Sequence, residues 1–209
     1  MQSISNVTFT SRNRTIRKAD DIARMVAQKF PLVSSTKYCA SSKYMNIKDS
    51  LTELTRKIRS ARWKYAIAST SLKYHGAEKI NQYLDLIKFF NLGNCAEMTD
   101  LSMIVARLLG IKDTKPVELR TAIDEDLDHM ALLVENSGKP YIIDAWLGFA
   151  DYVPNANSKY KTVYRNFIHL DEYKSDTVKF KDYKINTLKT ALDEMSFTDT
   201  QKVRQKVLK

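Results

Sequence analysis

Apolar residues surround almost the whole circumference of residues 95–109, and this pattern limits what the chain can fold into. The segment predicts a helix, because Asn94 can cap its start and Gly110 ends it. Its apolar members are Ala96, Met98, Leu101, Met103, Ile104, Val105, Ala106, Leu108 and Leu109. A helix that is apolar on all sides is normally buried. The rest of the chain must therefore cover it.

Three further helices are predicted before this central helix. They span residues 19–30, 47–68 and 77–90, where apolar residues recur at helical spacing. Pro31 stops the first, and Asn91-Leu92-Gly93-Asn94 forms a turn after the third.

The spacing of the apolar residues changes after Pro116, from a helical pattern to short β-like runs. Short β-like runs follow at residues 117–122, 129–135 and 141–146, with a turn signal at 136–138. Further strands are expected at 160–168 and 177–183, and a charged tail at 186–209 contains one helix around 188–195. Helices followed by an antiparallel sheet give an α+β fold.

Composition limits the partners. A formal net charge of +10 favours an acidic partner, although a lysine-rich solvated surface also explains it. Nucleic acid is not expected, since no aromatic–basic motif of an RNA-binding sheet occurs. No run approaches the ~20 apolar residues of a membrane span, and residues 1–18 lack the apolar core of a signal peptide. The oligomeric state is left open.

No cofactor and no metal are expected. The three histidines, His75, His129 and His169, lack the spacing of a ligand pair, and there is no glycine-rich phosphate loop. The two cysteines, Cys39 and Cys95, are too few for a disulfide framework. One disulfide would consume the Cys95 thiol, so a reducing compartment is expected.

Three residues form a candidate catalytic set. Cys95 begins a helix, where the dipole and backbone N–H groups favour a thiolate, or it is simply a small buried residue. His129 begins an apolar strand and is either a base or a core histidine. Asp144 lies among apolar residues, where a carboxylate needs a partner, either the histidine or a nearby Lys or Arg.

Strand geometry can join the last two. A two-residue turn at Asn136-Ser137 places His129 directly opposite Asp144, and a turn one residue later makes them diagonal neighbours on the same face. A register in which the numbers of opposed residues add to an even sum would separate them onto opposite faces of the sheet. Trp146 would share their face and shield the pair from water.

This order resembles the papain-like and transglutaminase-like cysteine enzymes, in particular their bacterial effector and toxin branch. The residues that carry the resemblance are Gly93-Asn94-Cys95-Ala96-Glu97, Asp128-His129 with the run that follows, and Ile143-Asp144-Ala145-Trp146. The resemblance implies a papain-like core in which the cysteine helix packs on the sheet. It makes Cys95 the nucleophile, His129 the base and Asp144 the orienting acid.

The oxyanion donor departs from the papain pattern. Phe89 occupies the position of the papain glutamine, so Asn91, Asn94 or the Cys95 backbone N–H is expected to substitute. Glu97 suits the start of the helix, although its charge would oppose a thiolate nearby.

The resemblance implies a cysteine-dependent amide hydrolase or acyl transferase on a protein substrate, with deamidation or proteolysis favoured over transglutamination. The alternative is a catalytically silent basic interaction module that binds an acidic protein, a membrane surface or nucleic acid. An effector would act in the host cytoplasm after secretion without a signal peptide; the bacterial cytoplasm is the other location. The expected organisation is an N-terminal helical docking region (1–75), a catalytic core (76–185) and the charged tail (186–209).

Overall fold

The chain forms an α+β fold of helices around an antiparallel sheet. The computed structural model describes residues 4–34, 48–71, 73–121, 129–135, 139–167, 178–182 and 187–208. Within these residues the helices are α1 (Ile4–Lys29), α2 (Lys48–Thr70), α3 (Gly76–Phe90), α4 (Cys95–Leu108), α5 (Val153–Phe167), α6 (Thr187–Glu194) and α7 (Phe197–Leu208). The strands are β1 (Thr114–Thr121), β2 (His129–Val134), β3 (Tyr141–Asp144), β4 (Phe149–Tyr152) and β5 (Val178–Asp182). The α+β prediction is confirmed.

The five strands form one antiparallel sheet with the order β4-β3-β2-β1-β5. β2 is therefore the central strand, and it pairs with β1 on one side and β3 on the other. In the β2–β3 pair, Leu132 lies opposite Ile143 and Leu133 opposite Ile142. His129 begins β2 and Asp144 ends β3, at the same end of this strand pair. The register therefore decides whether their side chains share a face of the sheet.

Helix α4 lies in the middle of the fold, as its all-round apolar pattern predicts. It contacts β1, β2 and β3 on one side and α1, α6 and α7 on the others. Eleven of its side chains are buried. Because α4 is enclosed, its first residue is held firmly where the helix meets the sheet.

The two faces of the sheet pack against different helices. Leu132 and Ile143 join the main core with α1, α3 and α4. Ala131 and Ile142 point to the other face, where they pack against Tyr160 of α5 in a smaller cluster. The sheet is therefore covered on both sides next to the β2–β3 pair.

Helix α5 corrects a prediction. Residues 160–168 are expected to form a strand, but the structure continues one helix from Val153 to Phe167. Val153, Ala156 and Tyr160 recur at helical spacing and pack in the cluster on the second face of the sheet. Pro154 is tolerated because it lies in the first turn.

The C-terminal residues form two helices rather than the one expected. α6 agrees with the predicted helix, and α7 follows it. Leu188, Leu192, Val203 and Val207 are buried in the main core. The charge of this segment therefore lies on the outer faces of packed helices.

The N-terminal helices share the main core with the sheet. Ile22 and Val26 of α1 belong to the same buried cluster as Leu132 and Ile143. The division of the chain at residue 75 remains a prediction. Among the described residues, no helix combines the length and apolar character that crossing a membrane requires.

Candidate active site

The turn before Cys95 is built by close packing. α3 ends at Asn91 in the left-handed conformation (φ 49°), and Leu92 pairs with Val33 in a parallel bridge. A Cβ at Gly93 would lie 2.8 Å from Leu32 Cδ1 and 2.9 Å from Glu97 Cβ. Only glycine allows this approach without displacing its neighbours, which gives a physical reason for the glycine in the cysteine motif.

The start of α4 is fixed by polar side chains. The Asn94 N–H donates to Glu97 Oε2 at 2.8 Å, and the Asn94 side chain accepts from the Glu97 backbone, which completes a capping box. Ser34 Oγ donates to Asn94 Oδ1 at 2.7 Å, and Arg62 Nε donates to Glu97 Oε1 at 2.8 Å. Arg62 therefore compensates the charge of buried Glu97.

Two of these residues were missed by the sequence analysis. Ser34 follows α1, and Arg62 is one of several basic residues on α2. Their partners lie 60 and 35 residues away along the chain, respectively. No local pattern distinguishes Arg62 from the solvated arginines beside it.

His129 and Asp144 meet at the end of the β2–β3 pair. His129 Nε2 and Asp144 Oδ2 are 2.6 Å apart, and both side chains are buried. The observed register continues so that Ala131 faces Asp144, which makes His129 its diagonal neighbour. Of the two registers expected to keep the pair on one face, the structure has the one that makes them diagonal neighbours. The turn itself lies outside the described residues.

The Asp144 carboxylate accepts three hydrogen bonds. Oδ2 accepts from His129 Nε2 and, at 2.8 Å, from the Tyr160 hydroxyl on α5. Oδ1 accepts from the Leu147 backbone N–H at 2.9 Å. Hydrogen bonds and a cation offset the cost of burying this charge. The ion-pair partner of Asp144 is His129, not the Lys or Arg of the alternative interpretation.

Two aromatic rings contact the imidazole. The Trp146 centroid lies 5.2 Å from that of His129, and the Tyr160 ring meets it edge-on at 5.8 Å. Trp146 therefore lies beside the pair, in the shielding position that its place in the sequence predicts. His129 is 4% exposed and Asp144 is 1% exposed, so little water reaches their hydrogen bond.

The Cys95 thiol lies next to the same imidazole. Burial lowers the pKa of His129, but the Asp144 charge, the Asp144 hydrogen bond and a hydrogen bond with Cys95 raise it, to about 10 in total. Since Nε2 bonds to Asp144, Nδ1 is the ring nitrogen left for the thiol. His129 is therefore an imidazolium at neutral pH, held between sulfur and carboxylate.

Cys95 itself is not in a disulfide. The residue is 7% exposed, so it is buried but not entirely sealed. Cys39 lies outside the described residues.

The three candidate oxyanion donors are placed differently. Asn91 is exposed, and its backbone N–H is bonded to the Ile87 carbonyl. The Asn94 side-chain oxygen is engaged in capping. The Cys95 N–H belongs to the first turn of α4, at the positive end of the helix dipole. It belongs to the same residue as the sulfur, from which Cα and Cβ separate it.

No group of three His, Cys, Asp or Glu side chains suited to a metal ion occurs in the part of the chain that the structure describes. His75 lies just before α3, and His169 falls outside the described residues.

No protein-family model matches this chain, and no curated protein sequence matches it either.

Proposed function

We propose that this protein is a cysteine-dependent amide hydrolase or acyl transferase with a papain-like arrangement of Cys95, His129 and Asp144. The observation that carries the proposal is the position of His129, hydrogen-bonded to a thiol on one side and to a buried carboxylate on the other. Nucleophile, base and orienting acid are the three parts that thiol catalysis needs.

The first chemical step is acylation. An imidazolium beside Cys95 favours the thiolate, which attacks the carbonyl carbon of an amide. The oxyanion forms beside the N–H of Cys95, at the positive end of the α4 dipole. The C–N bond then breaks, His129 gives its proton to the leaving nitrogen, and a thioester remains on the sulfur.

The second step is resolution of the thioester. His129 is now neutral and accepts a proton from water, whose oxygen attacks the thioester carbonyl. Breaking the C–S bond releases a carboxylic acid and regenerates the thiolate–imidazolium pair. An amine in place of water would give transamidation. We favour deamidation or proteolysis of a protein substrate.

Exposed apolar side chains support a protein substrate. Val33, Trp63, Ile67 and Phe89 are exposed and lie on the segments that surround the turn before Cys95. Val33 bridges to that turn, and α2, which carries Trp63 and Ile67, also donates the Tyr65 hydroxyl to the Leu92 carbonyl. Trp63 and Ile67 lie on the side of α2 opposite Tyr65, so Val33 is the exposed apolar side chain that the structure joins directly to this turn.

The basic charge of the chain would favour an acidic protein. Action on a host protein after secretion from a bacterium belongs to the same proposal, and rests on the resemblance of the cysteine, histidine and aspartate motifs.

Alkylation tests the proposal without a known substrate. Cys95 should react with iodoacetamide at pH 6 much faster than an ordinary thiol, because the imidazole of His129 lies against its sulfur and activates it for attack. The His129→Ala variant should lose the advantage, and Cys95→Ala shows which labelling belongs to this residue. Slow labelling of Cys95, equal to that of Cys39 in the same chain, would contradict catalysis and favour the basic interaction module.

Mass spectrometry then separates the possible reactions. Acidic proteins and cell extracts are incubated with the wild type or with Cys95→Ala. A gain of about one dalton at a glutamine indicates deamidation, a new terminus indicates proteolysis, and a cross-link indicates transamidation. Products that also form with Cys95→Ala would count against the proposed chemistry.

A further inference from the structure

We propose that Tyr160 is a positioning residue of this site, which holds the Asp144 carboxylate in the orientation that fixes the imidazole of His129. The inference rests on the proposed function, since it assigns a role within the same catalytic set. Nothing in the sequence pattern singles out Tyr160, which is predicted to lie in a strand.

The contacts of Tyr160 are specific. The residue is fully buried, and its hydroxyl donates to Asp144 Oδ2 at 2.8 Å, the oxygen that also bonds to His129. Its ring meets the imidazole edge-on at 5.8 Å. One side chain therefore touches both members of the pair, with its hydroxyl on the acid and its ring on the base.

The Tyr160 hydroxyl restrains the rotation of the Asp144 carboxylate, which the Leu147 backbone N–H restrains only partly. A carboxylate can turn about its Cβ–Cγ bond, and the Leu147 N–H holds Oδ1 only. The Tyr160 hydroxyl holds Oδ2, so two anchors from different parts of the chain define the plane of the group. A fixed plane keeps Oδ2 in line with His129 Nε2, and this leaves Nδ1 directed at the sulfur.

The second anchor, Tyr160, belongs to the helix that packs on the face of the sheet opposite to α4. Cys95 belongs to α4 in the main core, whereas Tyr160 belongs to α5 in the smaller cluster. The imidazole at the start of β2 lies where these two layers meet. Packing of α5 on the sheet therefore sets the position of the catalytic base relative to the nucleophile.

The test is Tyr160→Phe, which keeps the ring and removes the hydroxyl. Without that anchor the carboxylate turns, the bond to His129 lengthens, and the imidazolium loses support. The His129 ring, followed by NMR with labelled histidine, should titrate at least about one pH unit lower than in the wild type. Cys95 alkylation at pH 6 should slow about tenfold, the order expected for one charge-assisted hydrogen bond.

Tyr83→Phe is the matched control. Tyr83 is also buried, and its hydroxyl donates to the carboxylate of Asp100 at 3.0 Å. Both variants should lose similar thermal stability, because each loses one buried tyrosine–carboxylate bond. Only Tyr160→Phe should change the His129 titration and the alkylation rate.

A double-mutant cycle with Asp144→Asn tests whether Tyr160 acts through the carboxylate. In the Asp144→Asn background, Tyr160→Phe should cause little further loss of alkylation. An equal loss in both backgrounds would overturn the inference. So would a His129 titration in Tyr160→Phe that is unchanged or moves upward, since the hydroxyl would then only compete with His129 for Oδ2.

These outcomes are distinguishable from failure of the proposed function. If wild-type Cys95 reacts slowly and His129→Ala has no effect, the catalytic proposal fails. If wild-type Cys95 reacts fast and depends on His129 but Tyr160→Phe behaves like Tyr83→Phe, only the positioning role fails.

Discussion

Replacing Asp144 by Asn should convert His129 from an imidazolium into a neutral ring at physiological pH. Asn has nearly the same shape as Asp, so its side-chain oxygen can still accept from the Leu147 N–H while its NH2 group donates to the Tyr160 hydroxyl oxygen. What disappears is the Asp144 charge, the largest of the causes that raise the pKa of His129, whereas the smaller contribution of Cys95 remains. Burial, which lowers the pKa, remains.

The size of the effect follows from the raised pKa. The pKa of His129 is about 10, against an ordinary value of 6.5, which corresponds to about 5 kcal/mol in favour of the imidazolium. At pH 7.5, about 99% or more of wild-type His129 is then protonated. In Asp144→Asn the pKa should fall below 6.5, so less than about 10% is protonated at that pH.

Titration of labelled histidine by NMR between pH 5 and 10.5 measures this change directly. Asp151→Asn is the control, because Asp151 lies on the neighbouring strand β4 and pairs with Lys159 instead. That variant should leave the His129 titration unchanged. Alkylation of Cys95 at pH 7.5 should fall at least tenfold in Asp144→Asn only.

Two results would refute the reasoning. One is a wild-type His129 that titrates near 6.5, which would mean that Asp144 does not support the cation. The other is an Asp144→Asn variant in which the titration of His129 stays near 10, since some other group would then hold the proton.

Two further predictions concern stability. The folded-state pKa of His129 lies above its unfolded value, so its stabilising contribution is fully present below about pH 6.5 and is lost as the pH rises towards about 10. The free energy of unfolding of the wild type, measured in urea, should therefore fall by up to about 5 kcal/mol more over this pH range than that of His129→Gln. Parallel pH profiles of the two free energies would contradict this. Arg62→Met should destabilise the fold by about 1–3 kcal/mol, because buried Glu97 loses its cation, a figure reduced for the partial exposure of Arg62. Adding Glu97→Gln should recover part of the loss, and a double variant less stable than Arg62→Met would count against charge burial as the cause.

Local patterns in the sequence predict much of the fold. The apolar circumference of α4 indicates a central helix, and the structure encloses it on all sides. The alternation in residues 129–135 and 141–146 predicts the two strands that carry His129 and Asp144. Side chains alternate between the two faces along a strand. Any register in which the numbers of opposed residues add to an odd sum therefore puts His129 and Asp144 on one face.

The same patterns could not decide between the two odd registers. That choice depends on how the chain turns between β2 and β3, and both turns suit its Asn, Ser and Gly residues. The pattern of residues 160–168 predicts a strand where the structure has a helix, because a short run of aromatic and β-branched residues fits either element equally well. Packing of Val153, Ala156 and Tyr160 against the sheet distinguishes the two.

The sequence by itself determined which residue types stand at helix starts and strand ends, and so pointed to a thiol, an imidazole and a carboxylate. Only the tertiary structure decided that Tyr160 and Arg62 support them. The periodicity of a segment indicates which of its faces is buried. It does not indicate which side chain from a distant part of the chain packs against that face. Tyr160 reaches Asp144 because α5 packs across the sheet, and Arg62 reaches Glu97 because α2 packs beside the start of α4.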